Sequence, residues 1–273
     1  MEQLELAVGP LRFDARATGP ADGPVVLLLH GFPETSASWR HQLDALGAAG
    51  YRAVAPDQRG YSPGARPREI EAYDPERLVE DTIGFADALV ADRVHLVGHD
   101  FGGLVAWHTA SRHADRLHTL TVASTPHPRA VARSILEGGE QREKSSYMLF
   151  FRSAAAEAWF LDDDAAGLRR ALTGVDATDA VRVLTRPGAM TAALNWYRAL
   201  NRGVIERMGE ITTPTMYVWS TDDPALGRVA AEETASLVAG PYRFEVLEDV
   251  DHWVPEHAPD QLNGLLLDHL ACA

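Results

Sequence analysis

The sequence is poor in cysteine and in basic residues, and it has no long apolar run. Cys272 is the only cysteine among 273 residues, so no disulfide can form within the chain. Lysine and arginine number 25 against 39 aspartate and glutamate residues, which gives a net charge of −14. Nucleic acids and anionic membrane surfaces bind basic patches, so this balance argues against both as partners. The apolar run at residues 25–29 is far shorter than a membrane span.

The N-terminal segment also lacks features of a secreted protein. Residues 1–9, MEQLELAVG, have neither the basic region nor the apolar segment of a secretion signal. A single cysteine fits a reducing compartment. We therefore expect a cytoplasmic protein, either a monomer or a homodimer. Its length is enough for one large domain, or for one domain that carries an insertion.

Strands and helices alternate along the first half of the chain. Two segments that alternate apolar and polar residues, at 4–8 and 11–17, indicate an antiparallel pair at a sheet edge. Continuous apolar runs follow at 24–31, 51–57 and 117–125, as is typical of strands buried on both faces. Helical patterns separate these runs. The alternation predicts an α/β fold with a mostly parallel central sheet and helices on both faces.

The alternation stops after Pro128 and resumes near residue 209. Residues 129–208 contain no convincing strand and have the composition of several short helices. We interpret this segment as a helical lid inserted into a core that is formed by residues 1–128 and 209–273. Ligands bind at the carboxyl ends of the strands in open α/β sheets, and the lid is expected to cover that edge.

The segment VHLVGHDFGG, residues 94–103, carries the main chemical signal. It indicates a buried strand, a sharp turn between glycines and a helix, which together make a nucleophile elbow. The central position holds Asp100 where serine hydrolases have serine. Attack by a carboxylate on an ester or amide carbonyl gives an unfavourable mixed anhydride. Attack on a saturated carbon that bears a leaving group gives an ordinary ester, so Asp100 favours an electrophilic alkyl substrate.

Two further groups follow strands in the order nucleophile, acid, base. Asp222 and Asp223 lie in STDDPAL, and His252 lies near the end of the last predicted strand. This order is found in α/β-hydrolases. His252 would take a proton from the water that cleaves the Asp100 ester, and a buried carboxylate would orient the imidazole. Asp100 could instead serve only as a helix N-cap, but its position between the glycines favours catalysis.

Four motifs resemble the epoxide hydrolase branch of the α/β-hydrolases, to which haloalkane dehalogenases are close relatives: HGFPETSASWRHQ, PDQRGYSPGARP, GHDFGG and DHW. The resemblance covers nearly the whole chain. It implies that the acid directly precedes a short apolar stretch, here PAL, and is therefore Asp223. It also implies an oxyanion hole formed by the backbone N–H groups of Phe32 and Phe101, and a cis Phe32–Pro33 bond. No metal or organic cofactor is expected.

Two lid segments, residues 145–160 and 194–200, also resemble those of epoxide hydrolases. The resemblance implies that Tyr147 and Tyr197 point at the epoxide oxygen, because a phenol can donate to a developing alkoxide. The expected substrate is a small apolar epoxide, and the product is a vicinal diol. Four further side chains are expected to line the pocket: Trp39, Met148, Trp196 and Trp253.

Two other functions compete with this one. Haloalkane dehalogenases usually have tryptophan after the nucleophile and asparagine after the HG pair, whereas this chain has Phe101 and Phe32. Fluoroacetate dehalogenases have arginine after the nucleophile, which is also missing. A non-catalytic protein that binds a small molecule is the remaining alternative, and the complete Asp–His–Asp set argues against it.

Overall fold

The protein is built on an eight-stranded sheet that is mostly parallel. The computed structural model describes residues 1–272, except for the side chains of residues 202 and 204. The sheet has the order β1-β2-β4-β3-β5-β6-β7-β8. The strands are β1 Glu2–Val8, β2 Leu11–Thr18, β3 Val25–Leu29, β4 Arg52–Pro56, β5 Val94–His99, β6 Leu117–Ala123, β7 Thr215–Ser220 and β8 Tyr242–Leu247.

Strand β2 pairs antiparallel with both of its neighbours, β1 and β4. Leu6 of β1 lies opposite Phe13 of β2, and β2 pairs in turn with β4. The other neighbours are parallel, so β3, β5, β6, β7 and β8 all end at the same edge of the sheet. The predicted fold class is therefore confirmed, including the antiparallel pair at one edge.

Helices cover both faces of the sheet, and several of them lie in the segment between β6 and β7 that was predicted to form a lid. The α-helices are α1 Arg40–Ala48, α2 Pro75–Ala88, α3 Phe101–Arg112, α4 Pro128–Glu137, α5 Glu140–Lys144, α6 Tyr147–Phe151, α7 Ala156–Ala171, α8 Thr178–Leu184, α9 Ala189–Ala199, α10 Arg202–Glu206, α11 Arg228–Glu233, α12 Val254–His257 and α13 Pro259–Leu270. Short 3-10 helices span Ser36–Trp39, Pro63–Ala65, Ile70–Tyr73, Ala114–Arg116 and Thr234–Leu237. Within residues 1–272, no helix combines the length and the apolar character needed to cross a membrane.

Alternate residues of the central strands supply two cores. Leu27 and Leu29 of β3 point to a core with α2 and α3, whereas Val26 and Leu28 point to a second core with α1 and α13. This follows from the two-residue repeat of a strand, which sends neighbouring side chains to opposite faces. The first core continues into the helices between β6 and β7 through buried residues such as Trp196, whose ring lies 4.9 Å from that of Phe101 just beyond the carboxyl end of β5.

Candidate active site

A strained turn carries Asp100 between β5 and α3. Asp100 has φ +50° and ψ −121°, a combination that non-glycine residues rarely adopt and that occurs at functional sites. The glycines permit the turn. A Cβ atom at Gly98 would lie 2.4 Å from the Gly102 carbonyl oxygen, and one at Gly102 would lie 2.2 Å from that of Leu29. The Asp100 side chain makes no capping hydrogen bond to α3, so its carboxylate stays available at the edge of the sheet.

His252 lies between two carboxylates that come from different loops. Its Nε2 is 3.3 Å from Asp100 Oδ2, and its Nδ1 is 2.8 Å from Asp223 Oδ2. The other oxygen of Asp223 accepts hydrogen bonds from the backbone N–H groups of Ala225 and Leu226, at 2.7 and 2.9 Å. Asp223 is buried and Asp222 is exposed. Of the two adjacent aspartates, the geometry therefore brings only Asp223 to the imidazole.

Backbone N–H groups adjoin the Asp100 carboxylate. Phe32 N donates to Asp100 Oδ1 at 2.8 Å, and the Phe32–Pro33 bond is cis. Gly31 makes room for this approach, because a Cβ atom there would lie 2.4 Å from Asp100 Cβ. Phe101 is the first residue of α3, so no carbonyl within the helix can accept from its N–H. The backbone N–H groups of Phe32 and Phe101 are the predicted oxyanion hole, and both lie next to Asp100.

The charges of this cluster shift the pKa values of its members. Burial alone would raise the pKa of Asp100, but the hydrogen bond and charge of His252 lower it below its usual value. Burial alone would lower the pKa of His252, but Asp223 and Asp100 raise it well above 6.5. Both shifts favour the charged forms of Asp100 and His252 when the two lie side by side.

The sequence analysis missed one buried pair behind the site. His99 Nδ1 is 2.9 Å from Glu34 Oε2, and His99 Nε2 is 2.8 Å from the backbone carbonyl of His252. The backbone of His252 is thus tied to the HGFPE loop through an imidazole. The only sequence signal for Glu34 is its position directly after Pro33. Burial of a carboxylate in a loop leaves no pattern in the sequence.

The two lid tyrosines approach the nucleophile together. The rings of Tyr147 and Tyr197 are 6.4 Å apart, and Tyr197 also contacts Phe32 and Phe101 at 5.2 and 5.3 Å. Burial raises the pKa of both phenols, and the negative charge of Asp100 raises both further. Both shifts favour the neutral phenol, which is the form that can donate a proton.

Three of the four predicted pocket residues lie near this cluster. The ring centre of Trp196 lies 4.9 Å from that of Phe101, with the ring planes tilted, and that of Trp253 lies 5.0 Å from that of His252. Met148 is partly buried at the edge of the same core. Trp39 is a correction: it is fully buried in the second core, behind the sheet edge, and its nearest site contact is an edge-on approach to His99 at 6.4 Å. Its place just before α1 directs it under that helix rather than into the pocket.

Helix α5 of the lid holds the loop that carries Asp223. Gln141 is buried, donates to the Ala225 carbonyl at 2.9 Å and accepts from Gly227 N at 2.8 Å. Lys144 donates to the backbone carbonyl of Asp223. The lid therefore contacts the acid loop directly as well as covering the nucleophile.

The arrangement offers nucleophile, base and hydrogen-bond donors. Among the described residues, no group of three His, Cys, Asp or Glu side chains is placed to bind a metal ion. What the site can supply is a carboxylate that attacks, an imidazole that moves a proton, and amide and phenol donors for developing negative charge.

Comparisons with known proteins agree with this fold. A model of the alpha/beta hydrolase family matches residues 26–265. The chain is 35% identical over 265 residues to the AB hydrolase superfamily protein YfhM of Bacillus subtilis, covering 93% of this chain and 92% of the relative. It is 34% identical over 296 residues to Epoxide hydrolase A of Mycobacterium tuberculosis, with 92% of each covered. The crystal structure of Epoxide Hydrolase A from Mycobacterium thermoresistibile superposes with a TM-score of 0.86 at 30% identity, over 99% of this chain and 98% of that one.

Proposed function

The chain belongs to the alpha/beta hydrolase family, and from this premise we propose that it is an epoxide hydrolase. It opens a small apolar epoxide by forming an ester on Asp100 and releases a vicinal diol. The observation that carries the proposal is the presence of a carboxylate in the elbow, with His252 Nε2 3.3 Å away and with two phenols whose pKa values its charge raises. The names of the relatives agree with this activity.

The first step is attack on a saturated carbon. Asp100 is held ionised by its neighbours, because the pKa of its carboxyl is lowered. Its Oδ2, the oxygen that Phe32 N does not bond, attacks a ring carbon, the C–O bond of the epoxide breaks, and the ring oxygen leaves as an alkoxide. Tyr147 and Tyr197 donate hydrogen bonds to this oxygen and one of them supplies a proton. The products are a hydroxyalkyl ester on Asp100 and a phenolate.

Formation of the ester then changes the role of His252. The pKa of His252 is raised by both Asp223 and Asp100, but the ester has no charge. Loss of the Asp100 charge lowers the pKa of the His252 imidazolium. The imidazolium then transfers its proton to the strongly basic phenolate. A neutral imidazole remains, still oriented by Asp223, and this is the form that a general base requires.

Hydrolysis completes the cycle. His252 removes a proton from water, and the hydroxide attacks the ester carbonyl of Asp100 while the N–H groups of Phe32 and Phe101 hold the oxyanion. The ester bond breaks, the diol leaves, and Asp100 is again a carboxylate beside an imidazolium. One water is consumed for each epoxide, and no proton or electron is left over.

A halide leaving group fits this site less well. Halides are stabilised by N–H donors, and the indole closest to Phe101 is that of Trp196. Its N–H is already bonded to the backbone carbonyl of Arg59 at 2.8 Å, and Phe101 has no side-chain donor. Phenols capable of giving a proton suit an alkoxide, and a departing halide needs no proton.

A single turnover in heavy-oxygen water tests the proposal. With enzyme in excess over styrene oxide, the diol should contain no heavy oxygen, and the label should appear in the Asp100 peptide. Asp100→Asn serves as the inactive control. Label in the first-turnover diol would show direct attack by water. Halide release from haloalkanes without diol formation from epoxides would favour a dehalogenase, and tight binding without turnover would favour a binding protein.

A further inference from the structure

Helix α5 places a cationic side chain on the backbone of the residue proposed as the acid. Lys144 Nζ donates to the Asp223 carbonyl and lies 3.3 Å from Glu140 Oε1. Lys144 is the only lysine in the chain, which has arginine at its 24 other basic positions. An ammonium is a compact donor with three N–H bonds on a flexible stem, so it can serve a carbonyl and a carboxylate together. At this contact the chain thus uses a donor that it has nowhere else.

Gln141 of the same helix bonds the backbone further along this loop. Its Nε2 donates to the Ala225 carbonyl at 2.9 Å, and its Oε1 accepts from Gly227 N at 2.8 Å. The packing is close, because a Cβ atom at Gly227 would lie 3.3 Å from Glu140 Oε2. Gln141 is buried. Its amide fixes the path of the loop, since breaking either bond would leave buried polar groups without a partner.

The turn that α5 holds is also the turn that orients the carboxylate. Ala225 N and Leu226 N donate to Asp223 Oδ1 at 2.7 and 2.9 Å. The other carboxylate oxygen lies 2.8 Å from His252 Nδ1. Ala225 is therefore bonded to Gln141 through its carbonyl and to the carboxylate through its N–H. A rotation of this turn would move the carboxylate away from the imidazole, so the position of the acid depends on α5.

Helix α5 leads directly to the helix that begins with Tyr147. Gln141 Nε2 also donates to Ser145 Oγ at 2.9 Å, and Ser145 N donates to the Gln141 carbonyl at 2.9 Å. Helix α6 begins two residues after Ser145. The same short helix therefore contacts the loop of the acid and precedes one of the proposed phenols. Separate measurement of ester formation and ester hydrolysis distinguishes these two connections.

We propose that Lys144 and Gln141 are positioning residues that set Asp223 against His252. They act through the backbone of residues 223–227, which we call the acid loop, and not on the substrate or the reacting atoms. Within the proposed epoxide hydrolase cycle, on which this role rests, the step that needs an oriented imidazole is hydrolysis of the ester intermediate. Loss of the Lys144 contact therefore slows ester hydrolysis and leaves ester formation nearly unchanged.

Single-turnover kinetics with styrene oxide give the first test. Lys144→Met removes the donor and keeps the length of the side chain. Ester decay, followed by rapid quench and intact-protein mass spectrometry, should slow about tenfold, as loss of a bond from a charged donor permits, and ester formation should change by less than about twofold. Once hydrolysis limits turnover, kcat and KM should fall together and kcat/KM should be retained.

Arg142→Met is the matched control for this measurement. It removes the same charge from α5, but Arg142 donates to the carbonyls of Ile135 and Leu136 at 3.0 and 3.1 Å and not to the acid loop. Both steps should keep their wild-type rates in this variant. Equal slowing of formation and hydrolysis in Lys144→Met, or the same loss in both variants, overturns the proposal.

A double-mutant cycle tests whether Lys144 acts through Asp223. In an Asp223→Asn background, Lys144→Met should change the rate of ester decay by less than about twofold, because no carboxylate remains to be positioned. A tenfold loss in both backgrounds would show that Lys144 acts on some other group, and it would overturn the proposal.

Proton NMR of the resting enzyme decides the role of Lys144 without any substrate. The proton between His252 Nδ1 and Asp223 should resonate far downfield, as in a charge-assisted hydrogen bond, and the signal is assigned by its loss in Asp223→Asn. Lys144→Met and Gln141→Met should each shift or broaden it, and Arg142→Met should not. An unchanged signal in both of the first two variants overturns the proposal. If the wild-type enzyme converts no epoxide, the proposed function fails, and this signal still decides whether α5 positions the acid.

Discussion

The sheet edge and the lid hold their functional groups in different ways. Asp100, Asp223 and His252 each follow a strand, and backbone N–H groups or carbonyls fix the loops that carry them. Tyr147 and Tyr197 lie on helices of the lid and are held mainly by aromatic packing. In the proposed mechanism, bond making therefore depends on backbone geometry, whereas stabilisation of the leaving group depends on side-chain packing. Changes at the edge should therefore stop the cycle, and changes in the lid should slow or redirect it.

Replacing the imidazole gives the largest expected effect. His252→Gln should reduce kcat by about four orders of magnitude, because no base remains to activate water. The ester on Asp100 should still form and accumulate, so intact-protein mass spectrometry should record a mass gain equal to that of the epoxide. His257→Gln is the control, since His257 is partly exposed and bonds Asp251 and Gly174. Loss of turnover without any mass gain would contradict the proposed order of steps.

The adjacent aspartates offer a matched pair at the sheet edge. Asp223→Asn should lower kcat by about three orders of magnitude, because an amide no longer stabilises the imidazolium and can favour the wrong tautomer. Asp222→Asn should change kcat by less than about twofold, since this side chain is exposed. Steady-state diol formation checks both, with thermal melting to confirm folding. Equal losses of kcat in the two variants would show that Asp223 is not the acid that orients His252.

The lid phenols should affect ester formation more than its breakdown. Tyr147→Phe and Tyr197→Phe should each slow alkylation by about a hundredfold, because one donor to the alkoxide is lost. Burst kinetics should show less accumulated ester, the opposite of the His252 variant. Tyr73→Phe is the control: Tyr73 is fully buried and bonds the Pro67 carbonyl at 2.7 Å, so its loss affects folding only. Unchanged alkylation in both lid variants would remove the phenols from the mechanism.

The junction of core and lid should be sensitive to acid. Burial lowers the pKa of His127, which caps α4, from 6.5 to about 3. Between these values the unfolded chain binds a proton that the folded protein does not, so stability falls as the pH decreases below 6.5. At pH 5 the loss is about 2 kcal/mol. The free energy of unfolding in urea should differ less between pH 7 and pH 5 in His127→Asn than in the wild-type protein. This variant keeps an acceptor that can cap α4.

The partly exposed His41 provides the comparison for this measurement. His41→Asn should leave the difference between pH 7 and pH 5 as in the wild-type protein. If both variants reduce it equally, the acid sensitivity does not arise from the buried imidazole at the junction.

The mostly parallel sheet and the place of Asp100 in the turn after β5 could be predicted because they depend on local signals. Buried parallel strands are continuous apolar runs, and the elbow needs glycines on both sides of Asp100. Family likeness favoured Asp223 over Asp222, and the reason is visible only in three dimensions: the carboxyl of Asp223 accepts from two backbone N–H groups that no sequence pattern specifies.

Features that depend on packing between distant segments could not be predicted. Trp39 was expected in the pocket, but its position relative to α1 sends it into the second core. The buried contact of Glu34 with His99 joins residues 65 positions apart. The reversal inside α7 spans Asp162 to Ala165, residues that a helical pattern tolerates, and it brings the Arg170 guanidinium to 5.8 Å from the centre of the Trp159 ring.

The contacts of α5 have a consequence for engineering and for divergence within the family. Gln141 and Lys144 form hydrogen bonds with the loop from Asp223 to Gly227. We therefore expect that the lid cannot be exchanged between relatives independently of this loop. A chimaera that takes the lid of a relative should recover activity only if the matching acid loop is transplanted with it. Substitutions in α5 should therefore be tolerated mainly when the acid loop changes with them. A selection for new substrates should recover substitutions in both segments together.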